Sequence, residues 1–192
     1  MRKLNYRLKE LVLADLYRYE RKTDVKSFLH AYVTYEGFKF TVWLRMCSTA
    51  RKKKTTKLLI LPFCKLIYQH YKYKYGYDIP YAIEIGPGLL IFHIGGIVIS
   101  AKKCGKNLTV SQNVTVGMTA HNGIKSFPII GDNVYLAPGC AIIGGVSIGN
   151  SVAVGTNAVV TKSAADNEVL VGIPARPISH NGSREYVNNP IG

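Results

Sequence analysis

Histidine and carboxylate side chains are the groups in this sequence that can move a proton near neutral pH. Five histidines are present, and His93 and His121 lie in the central part of the chain. Asp78 precedes His93 by fifteen residues. An imidazole titrates near neutrality and can take the proton of a poor nucleophile such as a hydroxyl group, and a contacting carboxylate fixes its tautomer. Whether Asp78 and His93 can meet depends on the fold.

A repeat of six residues organises the region that carries both histidines. From Ile130 onward an aliphatic residue leads each unit at an unbroken spacing of six, and a small or medium residue takes the fifth place. The same phase occurs upstream, with one extra residue before Cys104. The thirteen leading residues are Ile79, Ile85, Ile91, Ile97, Cys104, Val110, Val116, Ile130, Leu136, Ile142, Ile148, Val154 and Val160.

A period of six fits neither an α-helix nor an uninterrupted strand, but it fits a short parallel strand followed by a tight corner. Three units make a triangular coil of eighteen residues whose leading side chains stack inward on the next coil. The sequence therefore predicts a mainly β domain, a parallel β-helix of hexapeptide repeats, over residues 78–178. Because fifteen residues is close to one coil, Asp78 and His93 are expected on adjacent coils. An excursion loop at 118–128 replaces two units.

Residues 1–77 lack the repeat and are predicted to form a small helical cap. Helices are expected over Gly37–Met46 and Lys57–Tyr75, separated by the basic run Arg51–Lys54, with a break near Pro62. Residues 179–192 are expected to be a polar, mobile tail. A further helical stripe at the N-terminus carries Leu4, Leu8, Leu11, Val12 and Leu16.

Positive charge is concentrated in the cap. Residues 1–77 hold 18 Lys/Arg and 5 Asp/Glu, a net charge of +13, whereas residues 78–192 hold 7 and 6, a net charge of +1. Anionic lipid, a polyanionic glycan and nucleic acid are the partner classes for such a surface, and a solvated helix face without a partner is the alternative. The stretch Tyr68–Tyr77 alternates aromatic and basic residues, but packing of those aromatics onto the first coil is favoured, so no nucleic acid is expected.

The composition favours a cytoplasmic protein, with peripheral contact at the inner membrane face through the basic segment. There is no apolar run of about 18 residues. The four cysteines form no CxxC pair, which argues against a disulfide framework or a zinc site. Since His93 and His121 are the repeat region's two histidines, no metal site is expected there.

The hexapeptides followed by residues 171–178 (VGIPARPI) resemble the left-handed β-helix acyltransferases. Within that superfamily, residues 77–98 are similar to the serine acetyltransferases and their shorter relatives, which include O-acetyltransferases of capsule, exopolysaccharide and O-antigen pathways. The resemblance covers about Gly37 to Ile178. It implies acetyl-CoA as co-substrate, no metal, and homotrimers that bind acetyl-CoA between neighbouring coils and sometimes pair as dimers of trimers.

The resemblance also implies roles for individual residues. His93, within Ile91-Phe-His-Ile-Gly-Gly96, matches the catalytic histidine, and Asp78 matches the carboxylate that orients it. The positions that match the family's coenzyme A contacts are Met118, Pro138 and Thr156, with Ala137 adjacent, and Lys162 and Arg176 are candidates for the nucleotide phosphates.

Departures from the serine acetyltransferase pattern bear on the acceptor. Phe92 stands where the family has an aspartate, Ser126-Phe-Pro128 where it has Arg-His-Pro, and Ala101 where it has a glutamate. Lys22 falls near the position of an acidic residue of the helical domain, although Asp24 is close. A desolvated amino acid needs charged partners. Most groups that would supply them are absent.

These departures predict an O-acetyltransferase that acts on a sugar hydroxyl of a surface polysaccharide. Phe92 and Phe127 would then pack against the sugar ring, and His121 would be a further substrate contact. One alternative is serine O-acetyltransferase of cysteine synthesis, whose tail normally ends in isoleucine, whereas here Ile191 is followed by Gly192. A non-enzymatic alternative is a structural or binding β-helix with a basic cap.

Overall fold

The computed structural model describes residues 6–192, and the first part of this range is helical. The helix predicted at the N-terminus is confirmed from Leu8 onward, and Leu4 lies outside the described residues. The break expected near Pro62 separates α4 from α5. Asp24 caps a helix that the sequence analysis did not predict, because its Oδ1 accepts a hydrogen bond from the Ser27 amide at 2.9 Å. The helices are α1 (Leu8–Glu20), α2 (Val25–Thr34), α3 (Glu36–Ala50), α4 (Lys54–Leu59) and α5 (Leu61–Tyr75).

Seventeen short strands follow within the described residues. They are β1 (Tyr77–Asp78), β2 (Glu84–Ile85), β3 (Leu90–Ile91), β4 (Ile97–Ile99), β5 (Lys103–Cys104), β6 (Thr109–Val110), β7 (Thr115–Gly117), β8 (Thr119–His121), β9 (Ile124–Ser126), β10 (Ile129–Ile130), β11 (Tyr135–Leu136), β12 (Ala141–Ile143), β13 (Ser147–Ile148), β14 (Ala153–Val154), β15 (Val159–Val160), β16 (Val169–Gly172) and β17 (Ala175–Ser179).

The strands form three parallel sheets that the chain visits in turn, once per coil. Sheet 1 has the order β1-β4-β7-β12-β15, sheet 2 the order β2-β5-β10-β13, and sheet 3 the order β3-β6-β11-β14-β16. Strand β17 adds to sheet 3 in the antiparallel direction and ends the coils. The predicted left-handed parallel β-helix with an N-terminal helical domain is therefore confirmed.

The inward stack of leading residues is as predicted, with one change of frame. Each of the thirteen leading side chains is at most 7% exposed. In sheet 1, however, Ile99 and not Ile97 is in register with Val116. From Ile91 to Ile99 is eight residues, and from Ile99 to Cys104 is five. The frame shift therefore enlarges the corner between β3 and β4 by two residues. The sequence analysis expected it later in the chain, between Ile97 and Cys104.

The segment expected as an excursion loop leaves the coil between sheets 1 and 2, but it forms a hairpin. Strands β8 and β9 pair in the antiparallel direction, with Thr119 opposite Ser126. Asn122 and Gly123 make the turn with φ of 50° and 77°. Two positive φ values are what a two-residue type I′ turn needs, and Asn-Gly satisfies them with little strain.

The C-terminal tail differs from the mobile segment that was expected. It lies along the corner between sheets 2 and 3, where the Asn107 side chain accepts from the Ile191 amide at 3.0 Å and donates to the Ile191 carbonyl at 2.9 Å. The Ser183 amide donates to the Ser151 carbonyl at 2.9 Å, and Tyr186 stacks on Tyr135. The Asn107 side chain and the backbone carbonyls of Asn133 and Ser151 at the next corners thus give the tail its hydrogen-bonding partners.

A buried ion pair between α1 and α3 of the helical cap is also hydrogen-bonded to the backbone of the first coil. Arg45 donates from Nε and Nη2 to the Asp15 carboxylate at 2.9 and 3.0 Å, and the two side chains are 3% and 1% exposed. Asp15 also accepts from the amides of Gly88 and Leu89, and Arg45 also donates to the carbonyls of Ile85 and Gly86. Each charge is therefore matched by several hydrogen bonds.

All four cysteines are free and buried. Burial raises the pKa of Cys47, Cys104 and Cys140 to about 12, so these thiols stay protonated and unreactive. Within residues 6–192, none of the helices has the length and apolarity that crossing a bilayer requires.

We expect Asp15→Asn to lower the free energy of unfolding by about 3–5 kcal/mol, because it leaves the Arg45 guanidinium buried without its counter-ion. Glu20→Gln is the matched control on the same helix: Glu20 pairs with His30, whose side chain is 58% exposed, so its loss should cost at most about 1 kcal/mol. Urea unfolding of both variants measures the difference. Equal costs would mean that the Asp15–Arg45 pair does not anchor the cap.

Candidate active site

His93 occupies the enlarged corner between β3 and β4 with φ of 59°, in the left-handed region. Asparagine and glycine adopt this conformation readily, and histidine does so less often. At the corners of the described coils, the other non-glycine residues with positive φ are Asn107, Asn113, Asn133, Ser151, Asn157 and Asn167. At this corner of the β-helix a histidine thus takes the position that Asn or Ser occupies at other corners. Its side chain is exposed.

The end of α5 holds this corner in place. The amides of Gly95 and Ile97 donate to the carbonyls of Tyr75 and Gly76 at 2.9 and 3.0 Å. The Tyr77 hydroxyl donates to the carbonyl of His93 at 2.7 Å. Gly76 ends α5 with φ of 70°, and a Cβ there would lie 3.2 Å from the Gly96 nitrogen. The close approach of helix and corner fixes the backbone that carries the imidazole.

A cleft of about 500 Å³ opens beside His93. The end of α1 and the start of α3 form one wall, the corner residues Phe92 and His93 form another, and Asn188 and Asn189 of the tail close one side. Two exposed charged side chains line it, Arg21 after α1 and Glu36 at the start of α3. The cleft therefore offers an imidazole, a cation, a carboxylate and two side-chain amides to a small polar molecule.

Arg18 and Tyr19 give the cleft its rigid floor. Arg18 donates to the carbonyls of Gly88 and Asn188 and to Thr109 Oγ1 at 2.6–2.7 Å. Its burial lowers the pKa to about 10, so it remains charged at neutral pH. The Tyr19 hydroxyl accepts from the amide of Ile91 and donates to its carbonyl, and burial raises the pKa of Tyr19. Both side chains are committed to structure and leave Arg21 and Glu36 as the charges that face the cleft.

Asp78 does not make the predicted contact with His93. Its Oδ1 lies 2.7 Å from Lys72 Nζ, and within the described residues no hydrogen bond joins it to the imidazole. In β1 it is in register with Val98, on the exposed side of sheet 1, and it does not line the cleft. A lysine one helical turn from the end of α5 therefore competes with His93 for this carboxylate.

The candidate coenzyme A positions divide between two edges of sheet 1. Ala137 and Pro138 lie between β11 and β12, and Thr156 lies between β14 and β15, on the same edge as His93. Successive coils are about 4.8 Å apart, so these positions continue from His93 over about 14 Å. Met118 and Lys162 lie on the opposite edge of sheet 1. Arg176 is on β17, at the end of the coils.

The structure brings one of the three candidate acceptor contacts to His93. Phe92 lies in the cleft, with its ring centroid 6.3 Å from that of His93. His121 is on the hairpin and Phe127 follows it, so both lie at the opposite edge of sheet 1 from His93. Within residues 6–192 no group of three or more His, Cys, Asp or Glu side chains has a metal-binding arrangement.

Comparisons with known proteins agree with this architecture. Residues 127–162 match the bacterial transferase hexapeptide family (six repeats). The serine acetyltransferase of Staphylococcus xylosus is 32% identical over 167 residues, 86% of this chain and 75% of its own length. That of Staphylococcus aureus strain Mu50 is 33% identical over 168 residues, 86% of this chain and 76% of its own.

Solved structures of serine acetyltransferases share the fold. The soybean serine acetyltransferase apoenzyme superposes with a TM-score of 0.73 at 28% identity, covering 89% of this chain and 69% of its own. The Brucella abortus enzyme in complex with coenzyme A has a TM-score of 0.73 at 23% identity, covering 90% and 68%. The chain belongs to the hexapeptide-repeat acyltransferases, in their serine acetyltransferase-like branch. It is an acyltransferase, as the resemblance implied.

Of the residues that line the cleft, the sequence analysis named only Phe92 and His93 as site candidates; it missed, among others, Arg21, Glu36, Asn188 and Asn189. No motif contains them, because the cleft forms between segments that are far apart in the chain. Arg21 and Asn189, for example, are joined by a hydrogen bond of 2.6 Å between Nε and Oδ1 across 168 residues. The charge of Arg21 and Glu36 was visible, but only the docking of the cap on the first coil turns them toward His93.

We expect Asn189→Ala to raise the KM for the acceptor about three- to tenfold, because Arg21 loses the hydrogen bond that orients it. The kcat should change less than about twofold, since His93 is untouched. Asn181→Ala is the control, an exposed asparagine of the tail outside the cleft. Steady-state kinetics of both variants make the comparison, and an unchanged KM in Asn189→Ala would remove the tail from the acceptor site.

Proposed function

We propose that this protein is a serine O-acetyltransferase, which moves the acetyl group of acetyl-CoA to the side-chain hydroxyl of free serine. The observation that carries the proposal is the cleft beside His93, which presents one cation, Arg21, and one carboxylate, Glu36. A bound amino acid needs such partners for its α-carboxylate and α-ammonium groups. The similarity to serine acetyltransferases over 86% of the chain supports the same acceptor.

Acetylation of a sugar hydroxyl, which the sequence analysis favoured, becomes the second candidate. It depended on the loss of the charged groups that hold serine in the family, including an acidic residue at the position of Phe92. Arg21 and Glu36 supply charges of both signs from other positions, which weakens that argument. The ring of Phe92 and the amides of Asn188 and Asn189 are the features of the cleft that suit a sugar.

In the proposed reaction, His93 takes the proton of the acceptor hydroxyl as its oxygen attacks the thioester carbonyl. The tetrahedral intermediate then collapses, the carbon–sulfur bond breaks, and the leaving thiolate receives the proton from the imidazolium. The products are the acetyl ester and coenzyme A. Asp78 is paired with Lys72 through Oδ1 and, among the described residues, neither of its oxygens is hydrogen-bonded to the imidazole, so its role as the orienting group requires a local rearrangement that brings the carboxylate to His93.

A homotrimer would complete this site. His93, Ala137, Pro138 and Thr156 line one edge of sheet 1, whereas Met118, Lys162 and the hairpin with His121 lie on the other. If a neighbouring copy packs its hairpin edge against the His93 edge, all proposed acetyl-CoA and acceptor contacts face one groove. This geometry supports the trimer that the family resemblance implies, and leaves pairing of trimers as a separate question.

We expect His93→Ala to lower kcat by about 10² or more while acetyl-CoA still binds, because the general base is lost and the coil edge is intact. His180→Ala, in the tail, serves as the control for loss of an imidazole elsewhere. Acetyl transfer is followed by release of the coenzyme A thiol, and acetyl-CoA binding by calorimetry. Full activity in His93→Ala would exclude it as the base, whereas absence of acetyl transfer by the parent protein would favour the non-enzymatic alternative.

A screen of acceptors tests serine against hexoses, and charge variants connect the result to the cleft. We expect transfer to serine, with about a tenfold or greater loss of kcat/KM in both Arg21→Gln and Glu36→Gln, since each removes a charged partner of the amino acid. Arg184→Gln and Glu185→Gln are matched exposed controls in the tail. Transfer to a hexose and not to serine, unaffected by the Arg21 and Glu36 variants, would favour the second candidate.

A further inference from the structure

The outer face of α4 and α5 carries large apolar side chains that stay mostly exposed in the described chain, although the ring of Phe63 meets that of Trp43 edge-on. Leu58, Leu59, Phe63 and Leu66 are between 62% and 76% exposed. Leu58 and Leu59 end α4, and Phe63 and Leu66 lie in the first two turns of α5, on the other side of the break at Ile60. The opposite face of α5 is also apolar, but it is buried in the core through Leu61, Cys64, Tyr68 and Tyr75. Packing of the cap on the coils therefore does not explain the outer residues.

Lysines surround this apolar face, and acidic residues are missing from the whole segment. Residues 37–77 contain ten Lys/Arg and no Asp or Glu. Two of the ten, Arg45 and Lys72, are paired with carboxylates elsewhere. The exposed side chains of Lys52, Lys53, Lys54, Lys57 and Lys65 form no ion pair in the described part of the chain. Of the net charge of +13 in residues 1–77, residues 37–77 thus carry +10, and five of these charges are exposed lysines in or next to α4 and α5.

Apolar side chains next to unneutralised lysines are typical of helices that lie in the interface of an anionic bilayer. A second copy of this chain is a poorer occupant. A two-fold interface would place this surface against itself, so lysines would oppose lysines with no carboxylate between them. The positive charge of the lysines therefore favours an anionic surface as the partner. The exposed apolar side chains favour a partner with an apolar interior in which they can be buried.

We propose that the outer face of α4–α5 docks the enzyme on anionic phospholipid membranes, with Leu58, Leu59, Phe63 and Leu66 inserted among the acyl chains and the lysines at the headgroups. The cleft beside His93 is lined by α1, the start of α3, the enlarged corner and the tail. Docking through α4–α5 leaves it uncovered. The proposal is independent of the acceptor, and variants of this face should retain acetyl transfer.

Co-sedimentation of the full chain with phosphatidylcholine vesicles, with and without phosphatidylglycerol, tests the proposal. We expect binding to the anionic vesicles, weakened by salt, and little binding to the neutral ones. Replacing Leu59, Phe63 and Leu66 by Gln should weaken binding more than about tenfold, since each buried apolar side chain contributes. Replacing Lys52, Lys53, Lys54 and Lys57 by Gln should also weaken binding, by about fivefold for each lysine removed.

Matched controls separate this face from charge and apolarity in general. Gln at Lys9, Lys26, Lys102 and Arg184 removes the same charge elsewhere, and Gln at Val25, Leu29 and Val33 removes three exposed apolar residues from α2. These variants should bind nearly as well as the parent, and all variants should keep their helical circular dichroism and acetyl transfer. Equal losses in control and test variants would overturn the proposal. So would equal binding to neutral vesicles, or concentration-dependent self-association that the Leu59/Phe63/Leu66 variant abolishes.

Discussion

The inward stacking of one aliphatic residue per strand is the constraint on which the rest of this structure depends. Each of these side chains rests on its counterpart one coil away, so an added residue within a strand would turn the stack outward. Extra residues are therefore accommodated only at corners. The chain uses this freedom twice, in the two added residues beside His93 and in the hairpin that follows Gly117. Both irregular places carry candidate functional side chains, whereas the regular corners carry Asn, Ser and Gly.

The regular part of the molecule could be predicted from the sequence because its signal is local and repeated. Twelve aliphatic residues and Cys104, at a nearly constant spacing, determine strands, corners and the inward face. Helix α2 shows where such patterns mislead: its apolar residues Val25, Leu29 and Val33 are exposed, and it is held by Ser27, Ala31 and the Asp24 cap instead. The frame shift was found but placed one strand too late, since Ile97 and Ile99 are both aliphatic and only strand register distinguishes them.

The cleft could not be predicted in the same way, because side chains from distant segments create it. Arg18 joins α1 to the first coil and to the tail, through partners 70 and 170 residues away in sequence. The spacing of Asp78 and His93 predicts adjacent coils, but the residue one coil on from Asp78 is Val98, and spacing does not encode the lysine that α5 brings to the carboxylate. Which charges pair depends on every charged group that packing brings close together. The six-residue period locates the groups of the coils, but it does not locate Lys72, which lies on α5.

Helix α5 connects the two surfaces that the fold leaves available for function. Its outer face carries Phe63 and Leu66, and the carbonyls of Tyr75 and Gly76 at its end hold the His93 corner. From Phe63 to Tyr75 is twelve residues, about 18 Å of helix. The imidazole therefore lies no more than about 20 Å from a membrane that contacts the first part of α5. Because the cap is tied to the first coil by the buried Asp15–Arg45 pair, helix and corner move together, and docking positions the cleft without reshaping it.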